Sequence, residues 1–145
     1  MSINKFNPEG YYDPTPYEAL TAIEKEEKAA KTFRSLVYIC SPFAGDTKRN
    51  TERARGYCRL AISKGCIPLA PHLHYPQFMD DEDKKERELG LRFALILLGK
   101  CDELWVFGNI SEGMAREITM ANKRGMPIRY FNCKCEEVTV NGQSR

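Results

Sequence analysis

Four short apolar stretches, separated by segments of helical periodicity, dominate the central part of the sequence. The first, Leu36–Cys40, is apolar throughout, and a continuous run without alternation is typical of a strand covered on both faces in a parallel sheet. The others fall within residues 66–70, 102–108 and 127–131. The intervening segments carry apolar residues at helical spacing or helix-capping signals. This alternation predicts a doubly wound α/β fold, flavodoxin- or Rossmann-like, with helices on both faces of a parallel sheet.

The second strand defines the expected strand order. It contains Pro68, which has no N–H to donate to a ladder and therefore belongs at a sheet edge. The order is then 2-1-3-4, with a short fifth strand as an optional addition around Val138–Val140. In this order the loops at residues 41–46 and 108–113 open into one crevice at the carboxyl ends of strands one and three. We expect the ligand there, and an anionic or sugar-phosphate group would suit the positive helix ends.

The N-terminal part has a different pattern. Prolines and a glycine in residues 1–14 disfavour regular structure and predict an arm lying over the surface. Thr15, Pro16 and Glu18 form a helix-start signature, and the charged run to about Lys31 predicts a peripheral helix, serving as a lid or an oligomer contact. The expected organisation is an arm and helix at residues 1–35, an α/β domain at 36–131 and a tail at 132–145.

Composition excludes several classes of protein. A chain of 145 residues with 42% hydrophobic and 29% charged residues predicts one globular domain. The formal charge of +2 does not indicate the basic surface by which proteins bind a nucleic-acid polymer. The longest apolar stretch, Phe93–Leu98, is far below the roughly 18 residues of a membrane span, and no signal segment opens the chain. We therefore expect a cytoplasmic protein without a membrane partner.

The six cysteines fall into two groups. Four stand in or beside apolar runs and are interpreted as core thiols, as a reducing compartment allows: Cys40, Cys58, Cys66 and Cys101. Cys133 and Cys135 lack the Cys-x-x-Cys spacing or the histidine cluster of a metal site. No metal is expected.

Candidate chemistry centres on the loops of the crevice. They lack Gly-x-Gly-x-x-Gly, Gly-x-x-x-x-Gly-Lys and Gly-x-Ser-x-Gly, which argues against dinucleotide, P-loop and α/β-hydrolase sites, and no cofactor is expected. The remaining candidate for a functional motif is Ser111–Glu117, which has the pattern Ser-x-Gly-x-x-x-Glu. On a helical wheel Glu117 falls within about 60° of both Met114 and Ala121, so it borders the buried face. It is either a carboxylate with a tuned pKa, acting as nucleophile or base, or a boundary glutamate paired with Arg116 or a neighbour of Arg124.

Two motifs carry a resemblance to a known superfamily. Val37–Phe43 resembles the first strand and Ser-Pro-Phe loop of nucleoside 2-deoxyribosyltransferases. Ser111–Glu117 resembles the catalytic-helix motif of that superfamily and of the related deoxynucleoside 5′-monophosphate glycosidases. The likeness covers Leu36–Phe131, and it is closer still to an uncharacterised deoxyribosyltransferase-like family frequent in Gram-positive bacteria and their phages.

The resemblance implies a nucleoside or nucleotide ligand and a covalent mechanism. Glu117 would attack the anomeric carbon and form a glycosyl-enzyme, which water or a second base resolves with retained configuration. Ser111 and Gly113 would contact a sugar 5′-hydroxyl or phosphate. A homo-oligomer is implied too, because relatives often complete each pocket with a neighbouring subunit. The full expected substrate-binding set is Ser41, Pro42, Phe43, Gly45, Asp46, His72, Arg92, Gly108, Ser111, Gly113 and Met114.

Three of these expectations have open alternatives. One of His72 and His74 lines the pocket while the other is exposed, and no third ligand supports a metal. Arg92 reaches a phosphate or is simply solvated. Superfamily enzymes commonly place an aspartate in the helix before strand three, but residues 91–94 hold no acid. Either Asp46 or Glu88 replaces it, or the protein binds a nucleotide-like ligand without turnover. The phosphate-binding arginine of the glycosidases is also absent from the first loop, where Arg49 or Arg53 could substitute.

Overall fold

The computed structural model describes residues 15–30 and 34–139, and the chain divides into two compact units, Met1–Phe33 and Arg34–Arg145. In the first unit, helix α1 spans Thr15–Ala30 with Glu18 in its first turn, as expected from the acid preference of helix starts. Leu20 and Ile23 are among its exposed apolar residues. The predicted arm at residues 1–14 lies outside the described residues, and a lid or contact role for α1 stays a prediction.

The second unit is a five-stranded sheet with helices between the strands, in the order β2-β1-β3-β4-β5. The first four strands pair in parallel and β5 pairs antiparallel with β4. This confirms the predicted doubly wound fold and strand order, including the fifth strand. The elements are β1 (Leu36–Cys40), α2 (Thr47–Ser63), β2 (Ile67–Leu69), α3 (Pro71–His74), a 3₁₀ turn (Tyr75–Gln77), α4 (Lys84–Leu98), β3 (Glu103–Phe107), α5 (Glu112–Lys123), β4 (Ile128–Phe131) and β5 (Glu137–Val138).

The two faces of the sheet carry separate cores, because successive side chains of a strand point to opposite faces. Tyr38 and Cys40 face the side covered by α4 and α5, in a cluster with Leu98, Val106 and Ala121 among others. Val37, Ile39, Trp105, Phe107 and Phe131 face the other side, where Tyr57 and Ala61 of α2 pack on them. Each central strand is thus buried on both faces, which is why its sequence shows no polar alternation.

Local signals fix the loops that border the crevice. Side-chain oxygens of Asp46 and Ser111 accept the backbone N–H groups of Arg49 and Met114, capping α2 and α5. Gly108, the first residue after β3, has a φ of +75°. This left-handed conformation costs a residue with a Cβ roughly 1–2 kcal/mol. The loops after β1 and β3 are therefore held at the same edge of the sheet.

Two sequence expectations need correction in the structure. The cysteines at 58 and 66 are only half-buried, whereas those at 40 and 101 are buried, so the core-thiol interpretation was right for one pair. No helix was predicted between the second strand and α4, but the structure has α3 and the 3₁₀ turn there, with Pro71 at the first helical position. Proline is well suited there because its missing N–H has no helical partner in any case.

Candidate functional site

A cavity of about 370 Å³ opens at the carboxyl ends of β1 and β3, on the side covered by α4 and α5. Its walls come from the loop after β1, the segment from α3 to residue 81, the first half of α4 and the first two turns of α5. Seven of the residues predicted from the sequence line it: Ser41, Phe43, His72, Ser111, Gly113, Met114 and Glu117. We call this the Glu117 cavity.

The carboxyl group of Glu117 is buried in the wall of this cavity. Its Oε2 atom is inaccessible to solvent and has no hydrogen-bond partner. Burial raises the pKa of Glu117 to about 7, while interactions with the side chains of Cys40 and Tyr38 favour the charged form and oppose the shift. Burial, and then the Glu117 charge, raise the pKa of both Cys40 and Tyr38 well above their usual values. Both groups therefore keep their protons at neutral pH and can donate to the carboxylate.

The ion-pair alternative for Glu117 is wrong. Among the described residues the single ion pair joins Arg129 to Glu137, at 2.6 Å between Nη2 and Oε2. Arg116 lies on the wall of a different, smaller cavity of about 210 Å³. Glu117 is thus an unpaired, buried carboxyl that faces a ligand-sized space.

Ser41 and His72 form a polar contact in the wall of the same cavity. Ser41 is buried, and its Oγ lies 2.9 Å from Nε2 of His72. Burial lowers the pKa of His72 to about 4, so the imidazole is neutral at neutral pH. The ring of Phe43 meets that of His72 edge-on at 6.4 Å. His74 is exposed, so of the two histidines His72 is the one that lines the cavity.

An acidic rim and two tyrosines, Tyr38 and Tyr75, also line the cavity and were not predicted from the sequence. The rim carries Asp80, Asp81, Glu86 and Glu112, together with Arg87. The acids at 80–83 also match a helix-start signal, since Asp83 caps α4. Tyr38 lines the cavity too, and its position in an all-apolar run gave no sign of it.

Several predicted residues are not brought to the Glu117 cavity. Pro42 and Gly108 line a second cavity of about 630 Å³, which also has Ser111 in its wall. Gly45, Asp46 and Arg92 line none of the three described cavities. Asp46 caps α2 instead, and Arg92 is exposed.

The aspartate missing from α4 has no replacement at the positions named from the sequence. Asp46 does not line the Glu117 cavity, and Glu88 lines only the smallest of the three described cavities. Leu91 and Ala94 present apolar side chains at the corresponding part of the wall. The remaining carboxylates near Glu117 are those of the rim.

The described residues contain neither a cluster that could bind a metal ion nor a membrane-spanning helix. Within residues 15–30 and 34–139, no group of three or more His, Cys, Asp or Glu side chains is placed to hold a metal ion. None of the helices in the described part of the chain is both long and apolar enough to cross a bilayer.

Fold and site together define a doubly wound α/β protein with a buried carboxyl at the switch point of its sheet. Residues 35–131 match the family described as "Domain of unknown function (DUF7768)", and the chain belongs to that family. The fold is similar to that of a 2-deoxyribosyltransferase from Bacillus psychrosaccharolyticus, with a TM-score of 0.55 and 16% identity over 75% of this chain and 82% of that one. No curated protein matches the sequence.

Proposed function

We propose that the protein cleaves or transfers the N-glycosidic bond of a nucleoside or nucleotide, with Glu117 as nucleophile. The observation that carries this proposal is the buried, unpaired Oε2 of Glu117 in a cavity at the carboxyl ends of β1 and β3. A carboxylate held away from water is a stronger nucleophile than a solvated one. Support also comes from the fold shared with a 2-deoxyribosyltransferase and from the Ser111–Glu117 motif.

The reaction follows from what a carboxylate can do at an anomeric carbon. The Glu117 carboxylate attacks that carbon, the C–N bond breaks, and the base leaves with the bonding electrons and takes up a proton. The resulting glycosyl ester is then attacked by water or by a second base, which releases the carboxylate and gives retained configuration. The transition states resemble an oxocarbenium ion, which the negative charges of the rim stabilise.

The rim also offers a carboxylate that can orient the sugar and the leaving base, while the base takes its proton from solvent. Glu86 uses its Oε2 to accept the N–H of Asp80 at 2.9 Å, and Asp80 uses Oδ1 to accept the N–H of Glu82 at 2.9 Å. In the described part of the chain, Asp81 has no such structural bond. We therefore assign Asp81 the role of the aspartate that α4 lacks. Asp81→Asn should lower kcat, while Glu82→Gln, next to it but outside the cavity wall, should not.

The decisive experiment measures base release from a panel of 2′-deoxynucleosides, ribonucleosides and their 5′-monophosphates by liquid chromatography. The wild type should release base, and Glu117→Gln should not. The control variant Glu52→Gln, at an exposed position of α2, should release base as the wild type does. A slow substrate should add one glycosyl group to the intact mass of the protein, and Glu117→Gln should not acquire it. Equal inertness of both proteins towards every substrate would sink the enzymatic proposal.

A second candidate function is nucleotide binding without turnover. The apolar side chains of Leu91 and Ala94 favour it, because they stand where the superfamily commonly has its acid. This version predicts that titration calorimetry detects a nucleotide ligand while the chromatographic assay finds no free base. The homo-oligomer and the cytoplasmic location stay predictions, which light scattering and cell fractionation would test.

A further inference from the structure

The charged groups in the wall of the Glu117 cavity are mostly acidic. Besides Glu117, carboxyl groups line the wall at positions 80, 81, 86 and 112, and the guanidinium of Arg87 is the single positive charge among the described residues there. His72 adds no charge at neutral pH, because burial lowers its pKa to about 4. A ligand that enters the cavity therefore meets several carboxylates and one guanidinium, which favours a positive charge on the ligand.

The wall also carries aromatic rings. Phe43 and Tyr75 both line the cavity. The ring of Phe43 meets that of His72 edge-on at 6.4 Å. The ring of Tyr75 lies 5.8 Å from that of Phe78 and 5.7 Å from that of Phe93, so it is part of a larger aromatic cluster. Since the face of an aromatic ring attracts a cation, this wall suits a flat, positively charged ring.

The described part of the wall lacks a group that readily protonates a leaving base. The imidazole of His72 is neutral, and α4 presents the apolar side chains of Leu91 and Ala94. Tyr38 and Cys40 hold protons, but their side chains interact with Glu117, and burial raises the pKa of both. A general acid contributes about 10²- to 10⁴-fold to a reaction that needs a proton. A base that leaves without taking up a proton loses none of this factor.

We propose that the preferred substrates are nucleosides whose base carries a fixed positive charge, such as a pyridinium or an N-alkylated purine. This rests on the proposed function, in which Glu117 attacks the anomeric carbon. The electron pair of the broken C–N bond goes to the ring nitrogen and cancels its positive charge, so the base leaves neutral and takes up no proton. Water then attacks the glycosyl ester, frees the carboxylate and gives up one proton to solvent.

Calorimetric titration of Glu117→Gln protein tests the charge preference without interference from turnover. The two ligands are nicotinamide 2′-deoxyriboside, which is a pyridinium, and its 1,4-dihydro form, which has the same sugar and substituent but no charge. The cation should bind at least about 10-fold more tightly than the neutral form. Added salt should reduce this difference, because it screens exposed charges.

A matched pair of variants on α4 locates the effect. Adding Glu86→Gln should weaken binding of the cation about 3- to 10-fold and leave the affinity for the neutral form unchanged, which also shows that the cavity is folded. The carbonyl oxygen of glutamine can still accept the N–H of Asp80. Glu88→Gln, on the same helix but outside the wall of the Glu117 cavity, should bind both ligands as before.

Chromatography of wild-type reactions identifies the kind of charged base. Nicotinamide 2′-deoxyriboside offers a single ring and N7-methyl-2′-deoxyguanosine a double ring, and release of one base or of both shows which the cavity accepts. Charged and neutral ligands that bind equally well would overturn the charge preference and leave the proposed function intact. Base release from ordinary 2′-deoxynucleosides but from neither charged substrate would do the same. If no nucleoside of either kind releases its base, the enzymatic proposal fails as well.

Discussion

Glu117 lowers the stability of the folded protein above mildly acidic pH. The usual pKa of glutamate is 4.5, and burial raises that of Glu117 to about 7. Between these values the folded chain holds a proton that the unfolded chain has released, so the free energy of unfolding falls as the pH rises. At about 1.4 kcal/mol per pKa unit, the loss above pH 7 amounts to about 3 kcal/mol.

Glu117→Gln removes this titration while keeping the size of the side chain. The free energy of unfolding of Glu117→Gln, relative to that of the wild type, should therefore rise by up to about 3 kcal/mol between pH 5 and pH 8. Urea denaturation at four pH values measures this free energy for both proteins, with the fluorescence of Trp105 as the signal. Trp105 is the single tryptophan of the chain and is fully buried, so its emission responds to unfolding.

Other groups that titrate in this range cancel in the comparison. Burial lowers the pKa of His72 to about 4, and that titration is common to both proteins. Parallel curves for Glu117→Gln and the wild type, within about 0.5 kcal/mol from pH 5 to pH 8, would refute the claim that Glu117 retains a proton.

Four further outcomes are expected. With Glu117 as nucleophile, kcat/KM should rise with pH through about 7, because the charged carboxylate attacks; a rate that falls over this range would assign it the role of an acid. Gly108→Ala should destabilise the protein by about 1 kcal/mol because of its positive φ, whereas Gly56→Ala in α2 should stabilise it by about 0.5–1 kcal/mol, both measured by denaturation. Arg129→Lys loses the two-nitrogen contact to Glu137 and the stacking on the indole ring, which should cost about 1 kcal/mol in thermal unfolding. As the pH falls from 6.5 towards 4, the unfolded chain protonates before the folded chain at His72, which offsets the stability gained at Glu117 in the wild type. The free energy of unfolding of His72→Gln should therefore rise relative to that of the wild type over this range, as measured by denaturation.

The fold could be predicted because each core element carries its signal locally. Leu36–Cys40 is apolar on both faces and is covered on both faces. Pro68 excludes its strand from the middle of the sheet, and in the structure that strand pairs only with β1. Apolar residues at helical spacing and helix-capping signals then predict helices between the strands, where α2, α4 and α5 lie. None of these steps needed a long-range contact.

The site was harder to predict, because a strand buried on both faces has no alternation to distinguish them. Tyr38 and Cys40 face the side of Glu117, and Val37 and Ile39 face the opposite core. The sequence of the strand contains no signal that distinguishes these two faces. The same difficulty affects α4, which is charged around much of its circumference. Arg92 was the arginine predicted to contact the ligand, but Arg87, about 140° away on the helical wheel, lines the cavity instead.

The structure narrows the two explanations left open for Glu117. A glutamate kept for packing or an ion pair would have a cationic partner, and Arg116 and Arg124 are near in sequence, yet neither pairs with it in the described part of the chain. Its nearest polar neighbours, Tyr38 and Cys40, are neutral donors whose interactions lower its pKa without compensating for burial. Glutamine or leucine would fill the same space without a destabilising charge above pH 7. These features support the proposal that the carboxyl group serves chemistry at the cavity that it faces.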